Sequence, residues 1–225
     1  MKTRITLLAT TALAALALAA PANAAGSWYV SLTGGGNWQN DEDFFATAAG
    51  DTFTFDSNSD TGFVIAGAVG YNLTSVAPGL RVEAEVSYRQ NSNDGTWLTS
   101  TGLTSSGPLD FDHQATAVMA NVWYDFDIGG FRPYLGGGIG WADVELDGTF
   151  VGGTLPTLDV SDDGFAWQLG AGVNFQVSPN VQLGVGYRYF QAPEVTVFAP
   201  FGPNASSGEV EYESHAAVLS LTFGM

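Results

Sequence analysis

Alternation of apolar with small or polar residues runs through most of this chain. In "VQLGVGYRY", Val181, Leu183, Val185, Tyr187 and Tyr189 share one face, and Gln182, Gly184, Gly186 and Arg188 share the other. "FAWQLGAGVNFQV" repeats the pattern from Phe165 to Val177. Side chains alternate between two faces in a strand, whereas a helix returns to the same face only after three or four residues. Alternation of this length therefore argues for strands. It predicts eight of them, roughly over 26–38, 61–73, 79–91, 112–127, 131–146, 163–177, 181–192 and 211–225. Several exceed the about 5–6 residues usual in soluble sheets and suit the ~9–11 tilted residues that cross a bilayer.

The connections alternate as well. "TSVAP" (74–78), "IGG" (128–130) and "SPN" (178–180) are tight turns built from Gly, Pro, Ser and Asn. The segments 39–60, 92–111, 147–162 and 193–210 are long and rich in Asp, Gly, Ser, Thr and Asn. In an up-and-down meander, every second connection lies on the same side. All long loops then emerge at one rim, and all short turns at the other. The chain is thus expected to be all-β, an eight-stranded antiparallel up-and-down transmembrane barrel with long loops outside and short turns in the periplasm.

The run "FRPYLGGGIGW" tests that expectation, because glycine weakens an ordinary strand. Here Phe131, Pro133, Leu135, Ile139 and Trp141 share a face with one glycine, while Gly136, Gly138 and Gly140 fall on the other. Gly170, Gly172, Gly184 and Gly186 likewise oppose bulky residues. The interior of an eight-stranded barrel is barely wide enough for side chains. Small inward residues would make room for larger polar ones from neighbouring strands, and the bulky face would meet lipid. A phosphate-binding glycine loop would lead into a helix, but alternation continues through "WADVELDG". A soluble sandwich would expose a charged face, often with lysine, where this chain presents mostly Gly, Ala, Ser, Asn and Gln. Tyr71, Phe126, Phe131, Phe175 and Phe223 near the short turns, and Phe63, Tyr88, Trp141, Phe165 and Tyr187 toward the long loops, read as two interfacial aromatic girdles.

The first residues carry Lys2 and Arg4, an apolar stretch from Ile5 to Ala20, and Ala22-Asn23-Ala24. They read as a secretory signal peptide over 1–24, cleaved to leave a barrel domain over 25–225. The remaining chain has no cysteine and no lysine, and four arginines face 23 acidic residues, for a net charge of −19. Such a field excludes nucleic acid and attracts cations or basic surfaces.

The blocks "GSWYVSLTGGG", "GLRVEAEVSYR", "ANVWYDFDIGGFRPYLGGGIG", "WQLGAGVNFQVSPNVQLGVGYRYF" and "HAAVLSLTFGM" resemble the small eight-stranded outer-membrane β-barrel proteins, of the OmpA/OmpX-like and opacity-like surface-antigen group. The resemblance spans the chain beyond the signal. It implies residence in the outer membrane among lipid and lipopolysaccharide, and a structural or surface-interaction role such as envelope integrity, adhesion or surface antigen. It also implies recognition of the C-terminal strand by the barrel assembly machinery. Leu219, Leu221 and Phe223 keep the alternation expected of that strand, but the last residue is Met225 and not an aromatic. No further domain is expected after it, and no cofactor.

The third predicted strand directs Arg81, Glu83, Glu85, Ser87 and Arg89 inward, and the seventh adds Arg188. Buried charges must be paired. The expectation is therefore a structural interior network of Arg81, Glu83, Glu85, Arg89 and Arg188. A sharper version is a gate in a low-conductance porin-like channel, opening when pairs exchange. Enzyme activity is not expected. A rim-sited lipid A-modifying hydrolase would need a Ser, a His and a carboxylate together. Ser214 and His215 are adjacent on a strand and so point oppositely, leaving only distant combinations, such as His113 with a loop serine. "DSNSDTG" (56–62) partly matches a calcium loop but has Thr61 and Gly67 where Gly and Glu belong. The acidic stretches "DEDFF", "DVELDG" and "VSDDG" are expected to be solvated, with divalent cations shared with lipid phosphates as a secondary expectation.

Overall fold

The computed structural model describes residues 28–39, 44–48, 51–59, 61–99, 106–150, 158–198 and 207–224. Ten strands form one antiparallel sheet: β1 (Trp28–Trp38), β2 (Phe44–Ala48), β3 (Asp51–Ser59), β4 (Gly62–Asn72), β5 (Leu80–Thr99), β6 (Ser106–Asp125), β7 (Phe131–Phe150), β8 (Leu158–Ser178), β9 (Val181–Phe198) and β10 (Ser207–Gly224). Eight of them close a barrel. β4 to β10 pair in chain order, and β1 joins β4 on one side to β10 on the other. Closure removes the exposed edges that an open sheet would present to lipid.

The two remaining strands were not anticipated. β2 and β3 form a hairpin inside the segment read as the loop 39–60, and β3 pairs with the outer part of β5. Alternation of Thr with Phe53 and Phe55 outweighs there the Asp, Ser and Asn content that suggested a loop. β5 to β10 also run 18 to 21 residues, further than expected. That is about twice what a bilayer requires, so their outer halves stand beyond it as paired ribbons. Segments read as acidic loops therefore lie on strands: Asp143 pairs with Asp163, and Asp147 with Asp159. The suspected calcium loop is mostly β3, with Asp56 to Ser59 paired to Thr96 to Asn93. The side chains of residues 56–60 of that loop, the signal segment and Met225 lie outside the described residues, while Thr61 is exposed.

At the other rim, the three tight turns behave as read. Gly79, Gly129 and Gly130 adopt left-handed φ angles of 86°, 59° and 104°. A side chain at Gly79 would also strike the carbonyl oxygen of Asp125. This position needs glycine for conformation and for space.

Inward and outward faces follow the predicted parity. Leu32, Ile65, Val118, Leu135, Ile139, Leu169, Leu183, Val185 and Leu219 are all exposed on the outer wall, as lipid-facing residues must be. Phe131 and Trp141, one from each girdle, are ten residues apart on β7. At ~3.4 Å per residue and a tilt near 40°, the rings are about 26 Å apart along the membrane normal, close to the ~25 Å apolar band of such barrels. Trp28 packs edge-on against Tyr71 in the inner ring, with ring centroids 5.0 Å apart.

Candidate functional site: the barrel lumen

Glycine on one strand and a bulky side chain on the next are how this chain fills its lumen. A Cβ at Gly136 would sit 2.7 Å from the Trp123 ring, one at Gly140 2.7 Å from the Met119 sulfur, and one at Gly172 2.7 Å from the Tyr134 ring. Asn121 leans in the same way over Gly138, and Tyr29 over Gly70. These side chains cross the barrel only because their neighbours have none.

Three tiers result. The tier nearest the short turns centres on Arg81. Its Nη1 donates to Glu83 Oε1 at 2.7 Å and its Nε to Asp125 Oδ2 at 2.9 Å. Glu83 also accepts from Tyr29 Oη at 2.8 Å and from Trp123 Nε1 at 2.7 Å. The guanidinium lies within 6 Å of the ring centres of Tyr29, Trp123 and Tyr134. This tier floors a vestibule of about 860 Å³ that opens between the short turns and is lined by Arg132, Asp127, Gln176 and Gln182 among others.

The middle tier centres on Glu85. Arg188 Nη1 donates to Oε2 at 2.6 Å, Asn121 Nδ2 to the same oxygen at 3.3 Å, and Gln168 Nε2 to Oε1 at 3.1 Å. Gln168 Nε2 also reaches Asn121 Oδ1 at 2.7 Å. Glu85 (1% exposed), Asn121 (1%), Gln168 (1%) and Arg188 (8%) are all buried.

The third tier, toward the long loops, is mostly apolar. Ala115, Ala117, Met119, Ala142, Val144, Ala166, Phe190, Ala192 and Tyr212 pack together across the barrel. Arg89 enters this layer. It donates from Nη1 to Ser87 Oγ at 2.7 Å and lies over the Phe190 ring at 3.8 Å. Above it, Asn37 donates to Asn91 Oδ1, and Asn91 returns a bond to the Asn37 carbonyl at 3.1 Å.

All five sequence-predicted charges thus sit in the lumen, but they pair unevenly. Arg81 meets Glu83, Arg188 meets Glu85, and Arg89 has no carboxylate within 4 Å among the described residues. Sequence reasoning missed Asp125, Tyr29, Trp123, Asn121 and Gln168. The parity of "VMANVWYD" was the available signal, since it places Met119, Asn121, Trp123 and Asp125 on one face.

The histidines occupy different surroundings. His215 points outward at the outer girdle, with Nδ1 2.5 Å from Tyr187 Oη, Nε2 3.6 Å from Glu213 and Trp38 stacked at 6.1 Å. Ser214 is buried inside, on the opposite face. His113 lies above the outer girdle, with Nδ1 3.0 Å from Gln39 Oε1. Burial brings its imidazole down to about 4, even with Asp112 beside it. Among the described residues, no group of three or more His, Asp or Glu is placed to hold a metal ion.

Comparison with known proteins follows the architecture. A family model described as the outer membrane protein beta-barrel domain matches residues 6–223. An outer membrane protein of Gluconacetobacter diazotrophicus is 34% identical over 206 residues, covering 84% of this chain and 52% of its own length. Outer membrane protein PagN of Salmonella typhimurium is 29% identical over 116 residues, 48% of each chain. The chain thus spans about half the length of these two relatives. Among solved structures, Neisserial surface protein A superposes with a TM-score of 0.53 at 18% identity, covering 88% of this chain and 97% of that one. OprG from Pseudomonas aeruginosa superposes with a TM-score of 0.54 at 13% identity, covering 89% and 98%. With the family match extending over nearly the whole chain, this protein belongs to the outer membrane β-barrel family and resides in the outer membrane.

Proposed function

We propose that the protein is a closed, structural barrel that carries an acidic surface outside the cell, serving envelope integrity or adhesion and not bulk transport. The filled middle tier carries this reading. Glu85, Arg188, Gln168 and Asn121 bond one another across the lumen, and the apolar layer stands directly above them. Arg81, Glu83, Glu85, Arg89 and Arg188 act here as interior structure. Exposed carboxylates on the outer ribbons, such as Asp147, Asp159 and Asp163, fit a surface that meets cations or basic partners. The proposal includes no catalytic role.

A low-conductance channel is the second reading, favoured by the vestibule that penetrates to Arg81 from the short-turn side. Planar-bilayer recording separates the two. Wild-type protein is expected to conduct little, and Glu85→Ala or Arg188→Ala to conduct more. Large, steady wild-type currents would reject the closed barrel in favour of the channel.

A further inference from the structure

The outer aromatic girdle differs from one sector of the barrel to the next. On β8, β9, β10 and β1 it becomes one connected patch on the outer wall. Trp38, His215 and Tyr189 stand opposite one another in a row across three neighbouring strands. Between ring centres, His215 lies 6.1 Å from Trp38, 6.0 Å from Tyr187 and 5.4 Å from Tyr189, and Trp167 lies 5.1 Å from Tyr189. Trp167 and Tyr189 are tilted 46° to each other and Tyr189 and His215 62°, so the rings give the wall relief. Tyr187 Oη, 2.5 Å from His215 Nδ1, fixes the imidazole among them. Glu213 is the next residue of the same facing toward the long loops. It stands 3.6 Å from His215 Nε2, outside hydrogen-bond reach.

Height and charge decide what such a patch meets. Trp38 is ten residues along β1 from Trp28 of the inner ring, the same separation as Phe131 and Trp141 on β7, so the patch lies at the outer edge of the apolar band. On the same strands, toward the short turns, Leu169, Val185 and Leu219 are exposed on the wall and face acyl chains. An occupant of the patch is therefore an amphiphile, with chains along those aliphatic residues and its headgroup on the rings. Beyond Lys2 and Arg4 the chain has only four cations. Arg81, Arg89 and Arg188 point into the lumen, and Arg132 lines the vestibule. The outer wall thus offers carboxylates such as Glu213 and Asp147, and no arginine or lysine, to a headgroup phosphate. Aromatic faces attract a cation within about 6 Å of the ring centre, most strongly where water is excluded. With neighbouring ring centres 5.1 to 6.1 Å apart, one cation comes within that reach of more than one ring.

We propose that this patch binds an outer-leaflet amphiphile with a cationic headgroup of the quaternary-ammonium type. Its methylated nitrogen rests on the rings of Trp38, Tyr187 and Tyr189, and Glu213 answers its charge. An anionic headgroup is repelled there, and an uncharged sugar leaves the carboxylate without a countercharge. The site lies on the outer wall, so it is the same in a closed barrel and in a conducting one.

The test uses the full barrel refolded in a maltoside detergent and an equimolar mixture of three dioleoyl lipids. These are a trimethylammonium-propane, a phosphatidylglycerol and a glucosyl diacylglycerol. Native mass spectrometry identifies the lipid that stays bound. One trimethylammonium lipid per barrel should be retained, preferred over each of the others by about tenfold. The preference should collapse in Trp38→Leu and in Glu213→Gln, the second of which keeps the side-chain size if the first fails to refold. Asp147→Asn removes an exposed carboxylate from β7, which contributes nothing to the patch, and should leave the preference intact. An equal fall in Asp147→Asn would overturn the site, because diffuse attraction to an acidic protein would then explain the binding. Equal retention of the three lipids, or a preference for the glucosyl lipid or phosphatidylglycerol, would overturn it as well.

Discussion

The middle and outer tiers of the lumen hold the same kind of residue under opposite conditions. Arg188 and Arg89 are both buried arginines facing the barrel axis. Arg188 meets a carboxylate at 2.6 Å within a set of amides, whereas Arg89 meets a hydroxyl, an aromatic face and alanines. Inward orientation is common to both; a countercharge is not. A barrel wall decides which face a charge takes, and only the register of distant strands decides whether that charge is answered.

Glu85→Ala is the strongest way to break the contrast, because it leaves Arg188 as bare as Arg89. A loss of about 3–5 kcal/mol is expected in denaturant unfolding from lipid vesicles, since the remaining charge stays buried without compensation. Wild-type stability in this variant would mean that the middle tier is not held together by its carboxylate.

The next effect sharpens the difference between lumen and wall. Val185→Arg, at a position 54% exposed to lipid, should cost about 2–4 kcal/mol in the same assay. Gln182→Arg should cost little, because Gln182 lines the open vestibule at the short-turn rim. Equal costs at the two sites would reverse the facing of β9.

Glycine spacing sets a third, smaller effect. Gly172→Val drives a side chain into the β9 backbone at Val185 and Gly186 and into the Tyr134 ring, and should cost about 1–3 kcal/mol as overpacking. Gly36→Ala, whose added methyl group would meet Thr61 at an ordinary 3.8 Å, should fall within about 0.5 kcal/mol of wild type. Arg89 itself should respond without loss: Arg89→Met should leave stability unchanged or raise it, because it removes a buried cation that no carboxylate meets among the described residues. A loss as large as that of Glu85→Ala would show Arg89 to be as well compensated as Arg188.

Much of this architecture was legible beforehand, because period two is a local property. Adjacent side chains on a strand take opposite faces whatever the rest of the chain does, so Leu183 and Val185 were bound outward and Glu83 and Glu85 inward. Tight turns were legible for a similar reason, with Gly79, Gly129 and Gly130 supplying backbone angles that other residues rarely adopt. The β2–β3 hairpin and the outer halves of β5 to β10 were harder to read. Their Asp, Ser, Thr and Gly content matches that of loops, and beyond a near hairpin neighbour, the second ladder partner that holds β3, β6 and β7 extended lies far away in sequence.

By itself, then, the sequence determined the eight barrel strands, their two faces and five of the inward charges, since each follows from a residue and its immediate neighbours. The tertiary structure alone decided the pairing. Arg188 reaches Glu85 across 103 positions of sequence, Arg81 divides itself between Glu83 and Asp125, and Arg89 arrives in a layer of alanines. Those outcomes depend on how eight strands stagger when the sheet closes, and that stagger is a property of the whole barrel and not of any one strand.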